Sequence, residues 1–354
     1  VLARLPRPFA VLFAALLIAA SVWCLTTQPP PIRVAAKGGY TDVHLYHDIA
    51  AEVVKGVPYH QAAAAMHRLH HYPLKPFVTM RLPTLVEMGA VLGWQGVQQL
   101  AYVLAFIAIF AWFFALEGRV HWIEQLLVSA AVGTGAAMVS NRGLMAMHEY
   151  WGGLCIAIAL ALRLRWPRQW WWQMVAIACG LTIRELVLPY ALLALVFALI
   201  GRRWREGAAW ALVIAAFGLF MTWHAAQVQA LVRPNDITSA GWHAAQGFSA
   251  FLKAVVYTSS LGGLPRPWAL LLAMLPLVGW LVLPGRRGLF AQLLILGFVV
   301  MISAFSRADT FYWGGIMLPW YFVGWALLPR AGWQLWWAIR QPHGRFARTT
   351  GAIS

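Results

Sequence analysis

Only 11 of the 354 residues are Asp or Glu, so each carboxylate stands out. Three of them, Asp42, Asp48 and Glu52, fall in GGYTDVHLYHDIAAEVVKGVPYH, residues 38–60. Placed on a helix, positions 42, 45, 46, 49 and 53 read Asp, Leu, Tyr, Ile and Val along one face, while 44, 48, 52 and 55 read His, Asp, Glu and Lys along another. Asp48, Glu52 and Lys55 then form an ordinary solvated charge cluster at i, i+3 and i, i+4 spacing. Asp42 begins the same helix on its apolar side. A carboxylate there has two uses. It can cap the free amides of the first turn, or it can serve as a general base that takes a proton from a hydroxyl at the mouth of a cavity.

Arg184, in GLTIRELVLPY, is the second candidate. A guanidinium between two short apolar segments is costly unless an anion meets it, and a phosphate accepts its forked donors well. The alternative partner is an internal carboxylate, Glu185 or Glu149. Arg81, Arg142, Arg307 and Asp309 fall on the same side of the chain's apolar runs, and the arginines either complete an anion site or pair within the protein. HEYWG at 148–152 lacks the second histidine of a zinc-protease helix, since Gly152 stands in its place. His148 and Glu149 are therefore read as hydrogen-bonding cavity residues. Tyr46, Tyr59, Tyr72, Tyr312 and Trp313 supply aromatic surface on the same side. The first loop carries His44, His47, His60, His67, His70 and His71, but with no cysteine and no tight ligand spacing, so neither a metal nor a cofactor is expected.

The elements that must position these residues are apolar. Composition is 61% hydrophobic and only 11% charged, with 21 Trp, which excludes an ordinary soluble domain. Runs approaching the ~20 residues that cross a bilayer recur from end to end. They fall at 9–27, 95–116, 123–140, 145–162, 170–183, 186–200, 208–224, 267–283, 289–305 and 311–329. The expected fold is all-α and polytopic, a single membrane domain over 1–354 with about ten transmembrane or re-entrant helices. Cys24, Cys155 and Cys179 lie inside these runs and are read as small buried hydrophobes.

A net charge of +16 could point to nucleic acid. The arginines form no basic stripe, however, and sit at alternate ends of the apolar runs, so no nucleic-acid partner is expected. Short arginine-rich loops belong on the cytoplasmic side. That rule places both termini inside, with a basic tail over 330–354, and puts the long first loop, 28–94, outside. The turns carrying His148 and Glu149, Arg184 and Glu185, and Arg307 and Asp309 then share the outer face with Asp42. Glu117, Glu124 and Glu206 lie beside cytoplasmic arginines and are read as solvated charge partners. Only IRE separates 170–183 from 186–200, so these two form a paired, partly re-entrant hairpin with Arg184 and Glu185 in a cavity. The segment 242–257 reads as a second amphipathic helix that either packs on the bundle or gives lipids access to it.

The pattern Asp42-x-x-x-Tyr46, followed by a helix and KGVPYH, then YPLKPF with RLPTL leading into the next helix, resembles the multipass GT-C glycosyltransferases. It is closest to the bacterial mannosyltransferase-like branch that uses polyprenyl-phosphate sugars. Gly56-Val57-Pro58-Tyr59 is similar to that branch's Gly-x-Pro-x-Tyr-like turn, with His60 where Tyr is typical. GLTIRELVLPY is similar to the superfamily's short helix pair carrying a basic residue, often Lys, where this chain has Arg184. The resemblance implies a GT-C fold, Asp42 as the base that activates the acceptor, Arg184 on the donor phosphate and no metal. It also implies an inverting transfer from a polyprenyl-phosphate sugar to a lipid-linked or cell-envelope acceptor, on the outer face of a bacterial inner membrane. Membrane lipids are the other expected partner. A flippase or transporter of a lipid-linked sugar, and a non-catalytic membrane partner protein, are the competing expectations.

Overall fold

The computed structural model describes residues 2–27, 39–118, 120–242 and 244–340. Arg119 and the end of the basic tail, 341–354, lie outside the described residues, as does 28–38 at the start of the first loop. Among the described residues the chain is helical without a named strand; one isolated bridge joins Lys75 to Thr238. Five helical stretches among the described residues are long and apolar enough to cross a membrane.

Every apolar run becomes helix, but with different bounds. α1 is Arg7–Thr26 and α5 is Trp122–Ala136. α4, Thr84–Ala115, starts well before residue 95 and bends at Gly93, whose φ of 67° and ψ of 157° are not helical. Gly adopts that conformation without a Cβ penalty, so the helix breaks there while its first part stays amphipathic and packs with the 42–54 helix of the first loop. α6, His148–Arg165, is buried along nearly its whole length. It packs against α4, against α7 (Trp170–Ile183) and against α13 (Leu318–Tyr321). α8 (Leu188–Ile200) and α9 (Trp204–Leu231) pair beside α7. α11, Arg266–Trp280, and α12, Gly285–Phe305, complete the wall with α14, Val323–Arg340. The first part of the expected tail, 330–340, is thus the end of α14. There Leu335 and Ala338 are buried against α1, with the tryptophans between them facing outward.

α2, Asp42–Val54, and α3, Tyr59–Leu69, cap one end of the bundle. α2 buries Leu45, Tyr46, Ile49 and Ala50 against α3 and α4, so its apolar stripe meets protein. α10, Phe248–Thr258, buries everything from Ala250 to Val256. This part of the second amphipathic segment therefore packs on the bundle.

The other end of the bundle is where the arginines gather. Arg165 meets Glu117 at 2.9 Å, Arg330 grips Glu124 through both carboxylate oxygens, and Arg287 donates to the Leu164 carbonyl at 3.0 Å. Arg163 is buried with its guanidinium 3.8 Å from the Phe290 ring centroid. Glu206 departs from its expected solvated role. It is 1% exposed and is held by Arg203 at 2.5 Å, because α9 begins one turn earlier than its apolar run and draws the charge beneath α8. Cys179 also departs, lying exposed on α7, while Cys24 and Cys155 are buried.

Candidate functional site

At the end capped by α2 and α3 lies a cavity of about 740 Å³, within the roughly 300–1,000 Å³ typical of small-molecule sites. Asp42, Tyr46, Arg81, Glu149, Arg184, Glu185, Arg307, Asp309 and Tyr312 all line it. They come from α2, the 77–83 turn, the start of α6, the α7–α8 turn and the segment after α12, so only the tertiary fold brings them together.

Asp42 is the first residue of α2, but the cap belongs to its neighbours. Thr41 and His44 form a reciprocal capping box, with the Thr41 amide donating to His44 Nδ1 at 3.2 Å. This leaves the Asp42 carboxylate for the cavity, where it accepts a hydrogen bond from the Tyr72 hydroxyl. Burial raises the Asp42 pKa above the usual aspartate value. The Arg81 charge and the Tyr72 hydrogen bond oppose the rise, while the Glu149 and Asp309 charges add to it. A carboxylate held in that way is a better base toward a hydroxyl than a free one. Asp48 sits apart at the rim, accepting from Tyr40 at 2.7 Å with His70 3.7 Å away, while Glu52 pairs with Lys55 at 2.7 Å.

Arg184 lies in an extended residue between α7 and the Glu185–Val187 turn. It is 1% exposed and already engaged, by Glu149 at 2.8 Å and by Glu185. Arg81 stands beside this group, donating to the Tyr46 hydroxyl at 3.3 Å and the Tyr312 hydroxyl at 3.1 Å, with Glu149 Oε1 3.7 Å from it. Two cations and two carboxylates thus interlock in a largely buried setting where Coulomb attraction is strong. The approach depends on glycines of α6. A Cβ on Gly152 would sit 2.9 Å from the Val187 side chain and 3.5 Å from Arg184 Cβ, and one on Gly153 would sit 2.6 Å from the Ile316 carbonyl oxygen.

Arg307 is differently placed. It forks onto Asp309 at 2.9 and 3.0 Å and also donates to Ser239 Oγ and the Gly241 carbonyl, which ties the loop after α9 to the turn after α12. Most of its donors are therefore used in the structure of the rim. Tyr59 does not line the cavity; its hydroxyl donates to the Arg81 carbonyl at 2.7 Å and holds that backbone. His148, expected among the cavity residues, does not line it either: it is fully buried behind the wall, its ring edge-on to Tyr46 at 4.8 Å. The side chain of Arg142 lies outside the described residues.

The cavity also includes residues that the sequence did not single out for it, among them Tyr40, Ser239, Tyr257 and Thr258. The segment 242–257 was legible as amphipathic, but which of its side chains turn into the cavity was not. Tyr72 was legible only as an aromatic, and its bond to Asp42 was not. Among the described residues no group of three or more His, Cys, Asp or Glu side chains is placed to hold a metal ion. No family model, curated protein or solved structure matches the chain, so a functional reading rests on the cavity's own chemistry.

Proposed function

We propose that this chain is an inverting GT-C-type membrane glycosyltransferase with Asp42 as its general base, moving a sugar from a polyprenyl-phosphate donor to a lipid-linked or cell-envelope glycan acceptor. The supporting observation is the convergence of the Asp42 carboxylate with the Arg81 and Arg184 guanidiniums on one cavity that is also lined by Tyr46, Tyr72 and Tyr312. The reaction needs these groups. Asp42 takes the proton of the acceptor hydroxyl as its oxygen bonds to the anomeric carbon. The anomeric C–O bond to phosphate breaks with its electron pair remaining on the leaving oxygen, and the guanidiniums stabilise that charge. The tyrosine rings offer apolar faces and hydroxyls to a sugar.

In this reading about ten segments cross or enter the membrane, the arginine-rich end faces the cytoplasm and the cavity opens on the outer face of a bacterial inner membrane. The lining of the cavity comes from one end of the bundle and includes none of the arginines of the other end. That favours a one-sided enzyme over a flippase, whose site lies near the midplane with access from both faces.

The test is transfer by the purified full-length chain with a panel of polyprenyl-phosphate sugars. Asp42→Asn should lower the rate by about 10²–10⁴-fold, and Asp48→Asn should leave it within about twofold. Parental activity in a correctly folded Asp42→Asn variant would sink the proposal. Equal losses at both positions would mean that the loop had been disrupted.

A further inference from the structure

The charge count of the cavity raises a difficulty for any anionic donor. Asp42, Glu149 and Glu185 face Arg81 and Arg184, while Arg307 and Asp309 neutralise one another. Three carboxylates against two guanidiniums leave a formal charge of −1 before a ligand arrives. A phosphodiester would make it −2 in surroundings where like charges repel strongly. For an anion to be held, a resident carboxylate must give up its cation.

The two carboxylates on Arg184 are not equivalent. Glu149 projects from the first turn of α6, a helix packed on all sides, and its side chain is 2% exposed. It contacts Arg184 and stands near Arg81 as well, so it serves both cations. Glu185 belongs to the three-residue turn Glu185–Val187, and its side chain is 25% exposed. Glu185 is therefore the partner able to move into the cavity while its neighbours stay packed. Arg184 Nε, moreover, has no hydrogen-bond partner among the described residues, so the guanidinium keeps a buried donor that neither carboxylate satisfies. The donor phosphodiester keeps two non-bridging oxygens and the product monoester three, so either can accept from such a fork in place of a carboxylate.

We infer that the Glu185 carboxylate is a stand-in for the donor phosphate. It neutralises Arg184 while the cavity holds no anion, is displaced when the phosphate arrives, and reclaims the guanidinium as the polyprenyl phosphate leaves. The identity of the anion rests on the transferase reading, whereas the exchange of anions on Arg184 does not. Glu185 then works against donor and product affinity, and in return it speeds product release. No bond is made or broken in this step; one ion pair replaces another.

Binding of unglycosylated polyprenyl phosphate to the full chain in lipid nanodiscs tests the exchange without catalysis. Glu185→Gln removes the competing charge and should tighten the dissociation constant about tenfold, the equivalent of about 1.4 kcal/mol. Under multiple turnover the same variant should show a lower KM and, where release limits the rate, a lower kcat. In an Arg184→Gln background the gain from Glu185→Gln should be markedly smaller, because the contested cation is gone and only the removal of a like charge remains. Glu185→Ala serves as a second probe, and equal unfolding temperatures establish that the variants are folded. Unchanged or weaker binding in both Glu185 variants would overturn the inference. The two proposals separate cleanly: tighter binding without detectable transfer by the parental chain retains the exchange and removes the enzyme. Asp42-dependent transfer with unaltered Glu185 binding does the opposite.

Discussion

Gly153→Ala tests whether the cavity owes its geometry to close backbone packing by α6. The added Cβ would lie 2.6 Å from the Ile316 carbonyl oxygen and 3.0 Å from Pro319 Cδ. The carbonyl belongs to the Phe311–Ile316 turn, which also carries Tyr312, and it cannot rotate away as a flexible side chain would. Reaching the 3.0 Å below which real Cβ contacts are essentially never seen needs a shift of 0.4 Å, and ordinary contact at 3.4 Å needs 0.8 Å. Overpacking of that kind costs about 1–3 kcal/mol, while replacing Gly by Ala within a helix gains roughly 0.5–1 kcal/mol. A second glycine isolates the packing cost. Gly297 lies inside α12, and a Cβ there meets nothing within 4 Å, so Gly297→Ala experiences the helix-propensity gain alone. The difference between the two variants in unfolding free energy, followed by thermal or denaturant unfolding in detergent, should be about 1–3 kcal/mol against Gly153→Ala. The same shift moves the Tyr312 hydroxyl relative to Arg81, now 3.1 Å apart, so Gly153→Ala should also weaken anion binding while Gly297→Ala leaves it unchanged. Equal stability of the two variants would refute the packing argument.

Other outcomes follow from the cap. Removing the Tyr72 hydroxyl with Phe takes away a hydrogen bond that favours ionised Asp42. Because the base must be ionised to act, the acid limb of the pH–rate profile should move to higher pH in Tyr72→Phe, with a plateau rate less than about tenfold below the parental one. A limb that stays in place would detach Tyr72 from Asp42. At the edge of the cap, Arg68 forks onto Asp236 at 2.7 and 2.8 Å and donates to the Leu231 carbonyl at 2.6 Å. The Arg68 hydrogen bonds lower the Asp236 pKa to about 2. A depressed carboxylate stabilises above its unfolded value, near ~4, and that contribution disappears as pH falls toward the folded value. Pepsin cleavage within 232–242 should therefore rise in the parental chain between about pH 4 and 2, and Asp236→Asn should be cleaved more readily than the parental chain at pH 4, with little further change on acidification.

The helices were largely legible because apolar runs of fixed length have few ways to satisfy their backbone groups away from water. Their ends were less so. The start of α4 hides behind polar residues around a bend at Gly93, and α14 continues through tryptophans and glutamine because one residue per turn, Ala331, Leu335 and Ala338, packs on α1. The phase of α2 was legible to the residue, and it correctly distinguished the face carrying Asp42 and Tyr46 from the face carrying Asp48 and Glu52. Arg184 was legible as an ion in need of a partner, yet both an internal pair and a phosphate fitted the sequence. The fold provides the internal pair, with two carboxylates, and that is what makes an exchange with an incoming anion worth testing. Arg307 looked equivalent to Arg81 as a cation of the same face, but its neighbours Asp309 and Ser239 occupy it, whereas Arg81 turns to tyrosines inside the cavity.

Composition and periodicity alone determined the helical class of the protein, the gathering of arginines at one set of helix ends and of most remaining carboxylates at the other, and the difference between Asp42 and Asp48. These are properties of single segments, set by hydrophobic burial and by the 3.6-residue repeat. Tertiary structure decided which side chains from five distant segments share a cavity, which carboxylate holds which guanidinium, and why Glu206 is buried while Asp48 stays at the rim. Those outcomes depend on distances of a few ångströms between helices. Glycines of α6 and the bend in α4 set them, and no segment encodes them by itself.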